Sequence, residues 1–464
     1  MITLENRFFP LRSAVCFFIE GGIILASVVA SYFLLHKTGG AGTIGFHDAI
    51  VRGVVVAFFC QSCMYMLDMY DLKHSQTWDE LFFSLIFAVG FVCIGIGLVT
   101  YAVPEFGVEG AMYYLTILFV AIFLLIWRVL FDLYLTRFAS KENILVVGTG
   151  EPARLMGEEI LKCERLGFRL VGFVGDAETR DQQIGGTARV LGDYSQVVEL
   201  TRANRVRRLV VAFTERRGEY PVDSLLQLRV KGCKVTEWAS FFEKLSGRIP
   251  LENLSPSYFI FQEGFRKSKA LLNARQVVSL SFATVLLLLL FPLLLIIAFL
   301  VKVDSPGPVF YTQKRVGKNG KNFDIFKFRS MRQDAEQNGR PQWAVRNDPR
   351  VTRVGKFIRA TRLDELPQLI NVLRGDLDIV GPRPERPEFV EELSRLLPYY
   401  ALRHTVKPGL TGWAQVMFYY SGTIEESRDK LQFDLFYIKN MSVKLDLLIL
   451  LKTIKIVLLG RGAI

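Results

Sequence analysis

The sequence predicts a membrane protein of three parts: an α-helical transmembrane bundle, an α/β Rossmann-like module, and an α+β domain with a re-entrant membrane helix. Three observations support this. Four apolar runs occupy the first 140 residues, strand-like and helix-like segments alternate over the next hundred, and a 26-residue run without charge precedes a basic C-terminal third. A chain of 464 residues is long enough for two or three domains.

The composition excludes an ordinary soluble enzyme. Hydrophobic residues make up 51% of the chain, and 57 Lys and Arg against 45 Asp and Glu give a net charge of +12. Residues 303–464 contain 27 basic and 18 acidic residues, so 27 − 18 = +9 of the excess lies there. Basic proteins bind nucleic acid or anionic membrane surfaces. The apolar runs favour the lipid bilayer, and we predict no nucleic-acid partner.

Residues 1–140 are predicted to form a four-helix transmembrane domain. The runs 13–35, 50–69, 81–103 and 112–133 are each close to the roughly 20 residues that a bilayer requires. Arg7, Arg12, Lys73 and Arg137 flank the runs on one side, whereas the loop between the third and fourth runs has Glu105 and Glu109 but no cation. Positive residues favour the cytoplasm, so both ends of the domain are predicted there, with Lys37 as the exception.

Charged residues lie inside three of the four apolar runs, with Arg52 and Asp68 in the second. Glu20 falls in the first, and Arg128 and Asp132 lie four residues apart in the fourth, where we expect them to pair with each other. Intramembrane charge can mark a transport path, but packing between helices is the interpretation we prefer. Cys60 and Cys63 have the spacing of a redox or zinc site, yet no second pair exists, so they are interpreted as buried apolar residues.

Residues 141–250 are predicted to form the Rossmann-like module. Strands are expected at 143–148, 168–174 and 207–213, with a possible fourth at 234–236 and a helix that ends near 161. The first strand leads into a G-x-G-x-x-A pattern at 148–153, and Asp176 follows the second strand. These features are typical of a dinucleotide site. They also occur where the glycines only make a turn, and the pattern leaves both interpretations open.

A linker at 251–275 leads to the third domain, residues 276–464. This domain begins with the uncharged run 276–301, which is long enough to cross a bilayer as a straight helix. Pro292 lies inside the run and removes a backbone donor, and cations flank both ends. We therefore predict a re-entrant helix that breaks at Pro292 and returns to the cytoplasmic side.

Two further segments have helical apolar periodicity. They lie at 354–361 and 445–459, each with cations on its polar face. We expect both helices to lie on the membrane surface, although ordinary packing against the domain core would give the same pattern.

The residues most indicative of chemistry are Asp364 and Glu365, which follow a stretch of arginines and lysines without acids from 350 to 362. Pro367 is tolerated only in the first turn of a helix, so a helix is predicted to begin near Asp364, with both carboxylates at its positive end. One carboxylate could attack phosphorus and its neighbour could hold Mg²⁺. The alternative is a helix-capping aspartate with surface salt bridges.

Beyond the acidic pair, residues 381–387 alternate proline with charged residues, which makes a stiff segment suited to presenting Arg383 to a phosphate. Six motifs follow one another in the sequence: Gln313-Lys-Arg315-x-Gly317-x-x-Gly320, Phe326-Lys327-Phe-Arg329-Ser-Met331, Asn347-Asp-Pro-Arg350, Leu363-Asp364-Glu365-Leu-Pro367-Gln-Leu, Val380-Gly-Pro-Arg383-Pro-Glu385 and Lys407-Pro-Gly409-Leu-Thr-Gly412-Trp. In this order they resemble bacterial sugar transferases, the polyprenyl-phosphate hexose-1-phosphate transferases that begin exopolysaccharide and O-antigen assembly. The first half resembles the long form of the same family.

The resemblance implies a mechanism in two steps. Asp364 would attack the β-phosphate of a UDP-sugar, release UMP and carry the phospho-sugar covalently to undecaprenyl phosphate. Glu365 and Asp364 would be the Mg²⁺ ligands. The residues implied to bind substrate phosphate are Arg383, Lys327, Arg329 and Arg315. Two departures, Arg362 where the family often has Ser and Asp378 in place of another Ser, leave the sugar open.

The resemblance also implies a multi-pass protein of the bacterial inner membrane with its active site facing the cytoplasm, and a homodimer is possible. Two other classes of protein are alternatives. A membrane-bound nucleotide-sugar dehydratase would need a Tyr-x-x-x-Lys pair, which the sequence lacks. A non-enzymatic scaffold for polysaccharide assembly would not need the pair Asp364 and Glu365.

Overall fold

The computed structural model describes residues 11–37, 45–71, 78–102, 110–213, 221–252, 254, 256–332, 350–418 and 423–460. They divide into two compact units, Met1–Leu245 and Ser246–Ile464, which are considered separately. Several residues used in the sequence predictions lie outside the described residues. They are Arg7, Lys73, Val103, Glu105, Glu109 and 347–349 of the third motif.

The first unit begins with four apolar helices, as predicted. They are α1 (Leu11–Lys37), α2 (Phe46–Met66), α3 (Trp78–Ala102) and α4 (Gly110–Leu133), and α4 continues as a π-helical turn over Tyr134–Phe138. By length and composition α1, α2 and α4 are each able to cross a membrane. Their buried side chains form one apolar core between the helices, while many large apolar residues such as Phe18 and Phe58 face outward. Such outward apolar faces suit a lipid environment.

The charged residues of the bundle pair differently from the prediction. Arg128 forms a buried ion pair with Glu20 of α1, with a shortest N–O distance of 2.6 Å, and also donates to the carbonyl oxygen of Met69 at 2.7 Å. Asp132 pairs with Arg165 beyond the bundle at 3.0 Å. The predicted pairing of Arg128 with Asp132 was therefore wrong, because it considered a single helix and ignored what the neighbouring helix presents. The contacts support the packing interpretation of these charges.

The rest of the first unit is a six-stranded sheet with helices. The strands are β1 (Glu142–Val147), β2 (Phe168–Gly175), β3 (Gln183–Ile184), β4 (Ala188–Asp193), β5 (Arg208–Val211) and β6 (Lys234–Glu237). The helices are α5 (Glu151–Lys162), α6 (Val197–Ala203), α7 (Val222–Val230) and α8 (Trp238–Ser246). The strand order is β3-β4-β2-β1-β5-β6, and every neighbouring pair is parallel except β3 with β4. The predicted strands are present, and β3 and β4 are additions.

The second unit combines short strand pairs with helices. Its strands are β7 (Phe310–Val316), β8 (Asn322–Phe328), β9 (Asp378–Val380) and β10 (Gly409–Thr411). Its helices are α9 (Pro256–Phe261), α10 (Lys269–Asp304), α11 (Arg353–Ala360), α12 (Gln368–Arg374), α13 (Pro387–Leu396), α14 (Trp413–Met417), α15 (Ile424–Asn440) and α16 (Val443–Leu458). β7 and β8 form an antiparallel hairpin, and β9 pairs with β10 in parallel. The long, buried α15 forms the centre of this unit.

Residues 251–275, predicted as a linker, contain α9 and the start of α10, and they contact α15. Lys267 donates to the carbonyl oxygen of Lys439 at 2.8 Å, and Lys439 donates to the hydroxyl of Tyr258 at 2.8 Å. Pro292 lies inside α10 and does not end it, so the segment 276–301 belongs to one helix of 36 residues. A proline removes a single intrahelical hydrogen bond, and a helix can continue through it because the hydrogen bonds on either side remain. The predicted break at Pro292 is therefore not present in the structure, and re-entry of α10 into the membrane stays a prediction.

Candidate active site

Asp364 and Glu365 lie in a tight turn that connects α11 to α12. The turn is a 3₁₀ helix over Leu363–Glu365, and α12 begins only at Gln368 because Pro367 has no N–H to extend the hydrogen bonding backwards. Arg362 opens the turn with φ of +56°, a left-handed conformation that non-glycine residues rarely adopt. The predicted helix start near Asp364 was thus several residues early, and the carboxylates precede a helix of only seven residues.

Asn371, in the middle of α12, joins this turn to the β7–β8 hairpin. Its side chain is fully buried, accepts from the backbone N–H of Phe326 at 3.0 Å, and donates to the carbonyl oxygen of Asp324 at 2.8 Å. These two bonds occupy the edge of β8 on both sides of Ile325 and fix β8 against α12. Lys327, two residues further along β8, is thereby brought beside the acidic pair.

Glu365 is the anchor for two cations. Its Oε1 atom accepts from Lys327 Nζ at 2.8 Å and from Arg383 Nη2 at 2.6 Å, and Oε2 lies 3.4 Å from Arg383 Nη1. Burial alone would raise the pKa of Glu365, but Arg383 and Lys327 outweigh it and hold that pKa well below its usual range. Glu365 is therefore ionised, and three of the residues predicted for the site are assembled as one cluster.

Asp364 is buried but, unlike Glu365, forms no ion pair or hydrogen bond among the described residues. Only 8% of the residue is exposed, and within the described part of the chain it takes part in no hydrogen bond or ion pair. Burial and the adjacent Glu365 carboxylate raise its pKa to about 6, against the opposing effect of Lys327, Arg359 and Arg383. A carboxylate with a raised pKa and unoccupied oxygen atoms has the properties of a nucleophile or a metal ligand.

Arg315 and Arg329, the other two predicted phosphate ligands, contact other groups. Arg315 donates to the carbonyl oxygen of Pro384 at 3.2 Å and lies 3.6 Å from the Glu385 carboxylate. Arg329 donates to the carbonyl oxygen of Ser305 at 2.6 Å, just beyond the C-terminal end of α10. Its Nε and Nη1 atoms are buried without a partner among the described residues. Phosphate binding by either arginine stays a prediction.

Comparison with known proteins decides the family. A sequence profile described as bacterial sugar transferase matches residues 271–460, which include the whole cluster around Asp364. The UDP-glucose:undecaprenyl-phosphate glucose-1-phosphate transferase of Escherichia coli K12 is 36% identical over 320 residues, which are 68% of this chain and 67% of the relative. The chain belongs to the bacterial sugar transferase family.

Other members of the bacterial sugar transferase family match over shorter spans. The UDP-N-acetylgalactosamine-undecaprenyl-phosphate N-acetylgalactosaminephosphotransferase of Aeromonas hydrophila is 44% identical over 231 residues, or 48% of this chain and 51% of that protein. The UDP-glucose:undecaprenyl-phosphate glucose-1-phosphate transferase of Caulobacter vibrioides is 43% identical over 184 residues, or 39% of this chain and 68% of that protein. The chain thus aligns with between half and about two thirds of these relatives' lengths.

The acidic pair supplies some, but not all, of the ligand atoms that Mg²⁺ requires. Asp364 and Glu365 would be the two protein ligands, because within the described residues no group of three or more His, Cys, Asp or Glu side chains could hold a metal ion. Magnesium usually binds one or two carboxylates and completes its shell with water and substrate phosphates. The unpaired Asp364 and the weakly bonded Oε2 of Glu365 fit that pattern when a diphosphate is present.

A second profile, described as a CoA-binding domain, matches residues 65–236. In a nucleotide-binding domain of this kind, the glycine loop at 148–153 would bind the diphosphate of the ligand, but its residues are not suited to a diphosphate. Glu151 places a carboxylate at the first turn of α5, and Pro152 lacks the N–H that this position would supply. Ala153 N–H is already bonded to the carbonyl oxygen of Gly150 at 2.9 Å. Of the two interpretations left open for the glycine pattern, the turn is the one these contacts support.

Several residues that hold the cluster in place were not predicted from the sequence, notably Asn371, Arg403 and Asp434. Arg403 donates to the carbonyl oxygen of Arg383 at 2.8 Å and to Asp434 at 2.9 Å. Asn371 could have been found from the sequence by one feature, because it is an amide side chain in the short helix directly after the acidic pair. Arg403 and Asp434 are separated by 31 residues and belong to different elements, so no local pattern connects them.

Proposed function

We propose that the protein transfers a hexose-1-phosphate from a UDP-sugar to undecaprenyl phosphate, the first membrane step in assembling an exopolysaccharide, an O-antigen or a capsule. The observation that carries the proposal is the contrast within the acidic pair. Glu365 holds two cations, whereas Asp364 is buried beside it with unoccupied oxygen atoms. The undecaprenyl-phosphate substrates named for the relatives from Escherichia coli and Aeromonas hydrophila support the same reaction.

In the first step, an Asp364 carboxylate oxygen attacks the β-phosphorus of the UDP-sugar. An O–P bond forms at Asp364, the bond from the β-phosphorus to the oxygen bridging it to the α-phosphorus breaks, and UMP leaves with that oxygen. In the second step, a phosphate oxygen of undecaprenyl phosphate attacks the same phosphorus. The bond to Asp364 breaks, which yields undecaprenyl-diphospho-sugar and regenerates the carboxylate.

The cations of the cluster stabilise the charge on the phosphoryl oxygens. Arg383 has N–H donors beyond those that bind Glu365, in a rigid planar group that suits phosphate oxygens, and Lys327 supplies a point charge. Both are oriented by Glu365 before substrate arrives, so little reorganisation is needed during the reaction. Mg²⁺ bound by Glu365 and Asp364 together with the diphosphate would add neutralisation of the departing UMP.

The decisive experiment is capture of the covalent intermediate. Full-length protein in detergent, incubated with Mg²⁺ and a UDP-sugar ¹⁴C-labelled in the sugar but without undecaprenyl phosphate, should acquire label on the peptide containing Asp364. Added undecaprenyl phosphate should discharge it. The Asp364→Asn variant should acquire none, while Asp378→Asn, a change at an equally buried aspartate that pairs with Arg275 at 3.7 Å, should be labelled normally. Turnover that needs both substrates and never labels the protein would contradict the two-step reaction.

Two further assays complete the proposal. EDTA should abolish UMP release and Mg²⁺ should restore it, whereas undiminished release in EDTA would remove the metal from the mechanism. The sugar needs a panel of UDP-glucose, UDP-galactose and UDP-N-acetylgalactosamine. Identity does not choose among them, because relatives named for N-acetylgalactosamine and for glucose reach 44% and 43%.

We infer further that the active site faces the cytoplasm at the inner membrane and that α10 re-enters rather than crosses. Both ends of α10 are buried in the second unit, at Arg275, Ser279 and Ala283 and again at Ile297 and Val301. The segment between them is apolar and exposed, with Leu288 and Leu289 more than 70% accessible. This pattern supports a helix whose middle enters one leaflet while both ends stay with the catalytic domain.

A thiol-labelling experiment tests this topology. Single cysteines at the exposed residues Lys269 and Lys302, near the two ends of α10, should both be shielded from a membrane-impermeant reagent in intact cells and both be labelled in opened cells. Labelling of only one of them in intact cells would show that α10 crosses the membrane.

A further inference from the structure

Arg383 lies in a segment without regular secondary structure, residues 381–386, between β9 and α13. Pro382 and Pro384 have no N–H, so this segment is fixed mainly through its carbonyl oxygens. Four consecutive carbonyl oxygens, those of residues 382 to 385, each accept from a different donor. The donors are, in order, Gly409 N at 2.9 Å, Arg403 Nη2 at 2.8 Å, Arg315 Nη1 at 3.2 Å and Val316 N at 3.0 Å.

Arg403 is the donor at Arg383 itself, and its guanidinium is held on three sides. Besides the carbonyl oxygen of Arg383, it contacts the Asp434 carboxylate at 2.9 Å and the Tyr400 hydroxyl at 2.5 Å. Arg403 and Asp434 are both almost entirely buried. Removing two opposite charges from water is costly, and apolar residues of similar size often give equal or greater stability. Stability alone therefore does not account for a buried ion pair at this place.

We propose that Arg403, oriented by Asp434, is a positioning residue for the transfer reaction. It fixes the main chain of Arg383 from behind while Glu365 fixes the guanidinium in front, at 2.6 Å. With both ends of Arg383 held, the N–H donors that do not bind Glu365 keep a fixed direction, and in the proposed function they contact the diphosphate of the UDP-sugar. This inference rests on that function. Arg403 itself contacts neither Asp364 nor Glu365 among the contacts of the described residues.

The test is a double-mutant cycle between Arg403 and Arg383, with UMP release measured on full-length protein in detergent. The substrate is whichever UDP-sugar of the panel above turns over fastest. Arg403→Met should lower kcat/KM about 30-fold in the wild-type background, because displacement of a catalytic group by 1 Å costs up to about 100-fold. In the Arg383→Met background the same change should cost less than about threefold, since the group it positions is gone. Arg403→Lys, which keeps a donor and the charge, should recover most of the loss.

Loss of folding needs a separate control. Arg403→Met alone leaves Asp434 buried and unpaired, so the double variant Arg403→Met/Asp434→Leu is also measured. It should regain the wild-type melting temperature within a few degrees yet stay about 30-fold impaired. Activity that returns together with stability, or an Arg403→Met effect of equal size in both backgrounds, would overturn the positioning role. A wild type that releases UMP from no UDP-sugar would instead overturn the proposed function, and this inference with it.

Discussion

Two buried acids, one in each unit, are treated in opposite ways. Glu20, in the transmembrane bundle, is wholly inaccessible and accepts from Arg128 and from the thiol of Cys16. Asp364, in the catalytic unit, is nearly as buried but is left without a partner among the described residues. A charge whose bonds are all made within the protein stabilises a particular packing, whereas a largely buried carboxylate without a protein partner is costly and needs a functional reason. The comparison thus separates a structural from a catalytic acid.

The largest expected effect tests the catalytic side. Asp364→Ala should lower UMP release by at least about 10⁴-fold, because loss of a covalent nucleophile removes the reaction path itself. The control change at the paired aspartate, Asp378→Asn, should stay within about tenfold of wild type. Both are measured as UMP released per minute by protein of equal folded content. Activity of Asp364→Ala within 100-fold of wild type would place the nucleophile elsewhere.

Whether a charged pair can be predicted from the sequence depends on how far apart its two members lie along the chain. Asp364 and Glu365 are adjacent, and the proline three residues later marks their turn, so the acidic pair could be predicted. Glu20 and Arg128 are 108 residues apart, and a rule about neighbours on one helix led instead to Asp132. The partners of a charge are chosen by tertiary packing, which local periodicity does not contain.

The same limit applies to the catalytic unit. Lys327 could be assigned to the site only through family resemblance, because its contact with Glu365 depends on Asn371 fixing β8 against α12. The helix predicted to begin near Asp364 instead begins at Gln368. The chain of bonds from Asp434 through Arg403 to Arg383 spans three elements and has no sequence pattern at all.

The second prediction concerns the structural side. Glu20→Gln leaves Arg128 buried without its counter-charge and should lower the free energy of unfolding by about 3 to 5 kcal/mol. The double variant Glu20→Leu/Arg128→Met, which removes both charges, should recover most of that loss. Thermal denaturation in detergent, followed by tryptophan fluorescence, measures both. Turnover per folded molecule should be unchanged, and a double variant as unstable as the single one would argue against the pair as the cause.

A smaller effect, on kcat/KM, is expected from a change at Arg383, which is proposed to contact the substrate. Arg383→Lys keeps the charge but loses the planar pair of donors that contacts both oxygens of Glu365. We expect kcat/KM for the UDP-sugar to fall about 100-fold. The control is Arg395→Lys on the exposed side of α13, where Arg395 pairs with Glu391 of the same helix, and this change should have no effect. Equal activity of the two variants would mean that geometry at Arg383 is unimportant.

The smallest effect is one of stability, and it has the opposite sign for the two members of the acidic pair. Burial and Glu365 raise the pKa of Asp364 from its ordinary 3.8 to about 6, so the folded state disfavours the ionised form. This destabilising contribution is absent below pH 3.8, grows between pH 3.8 and 6, and is constant above pH 6. Asp364→Asn in metal-free buffer should therefore raise the free energy of unfolding by about 2 to 3 kcal/mol at pH 8, and the gain should vanish near pH 4.

Glu365→Gln should do the reverse. Arg383 and Lys327 hold the pKa of Glu365 well below its usual value, so its ionised form stabilises the fold above pH 4.5 and that contribution is lost as the pH falls further. Denaturation midpoints of the two variants across this pH range, recorded in EDTA, give the comparison directly. An Asp364→Asn variant less stable than wild type at pH 8 would mean that Asp364 is held by bonds, like Glu20, and is not kept unpaired for attack on phosphorus.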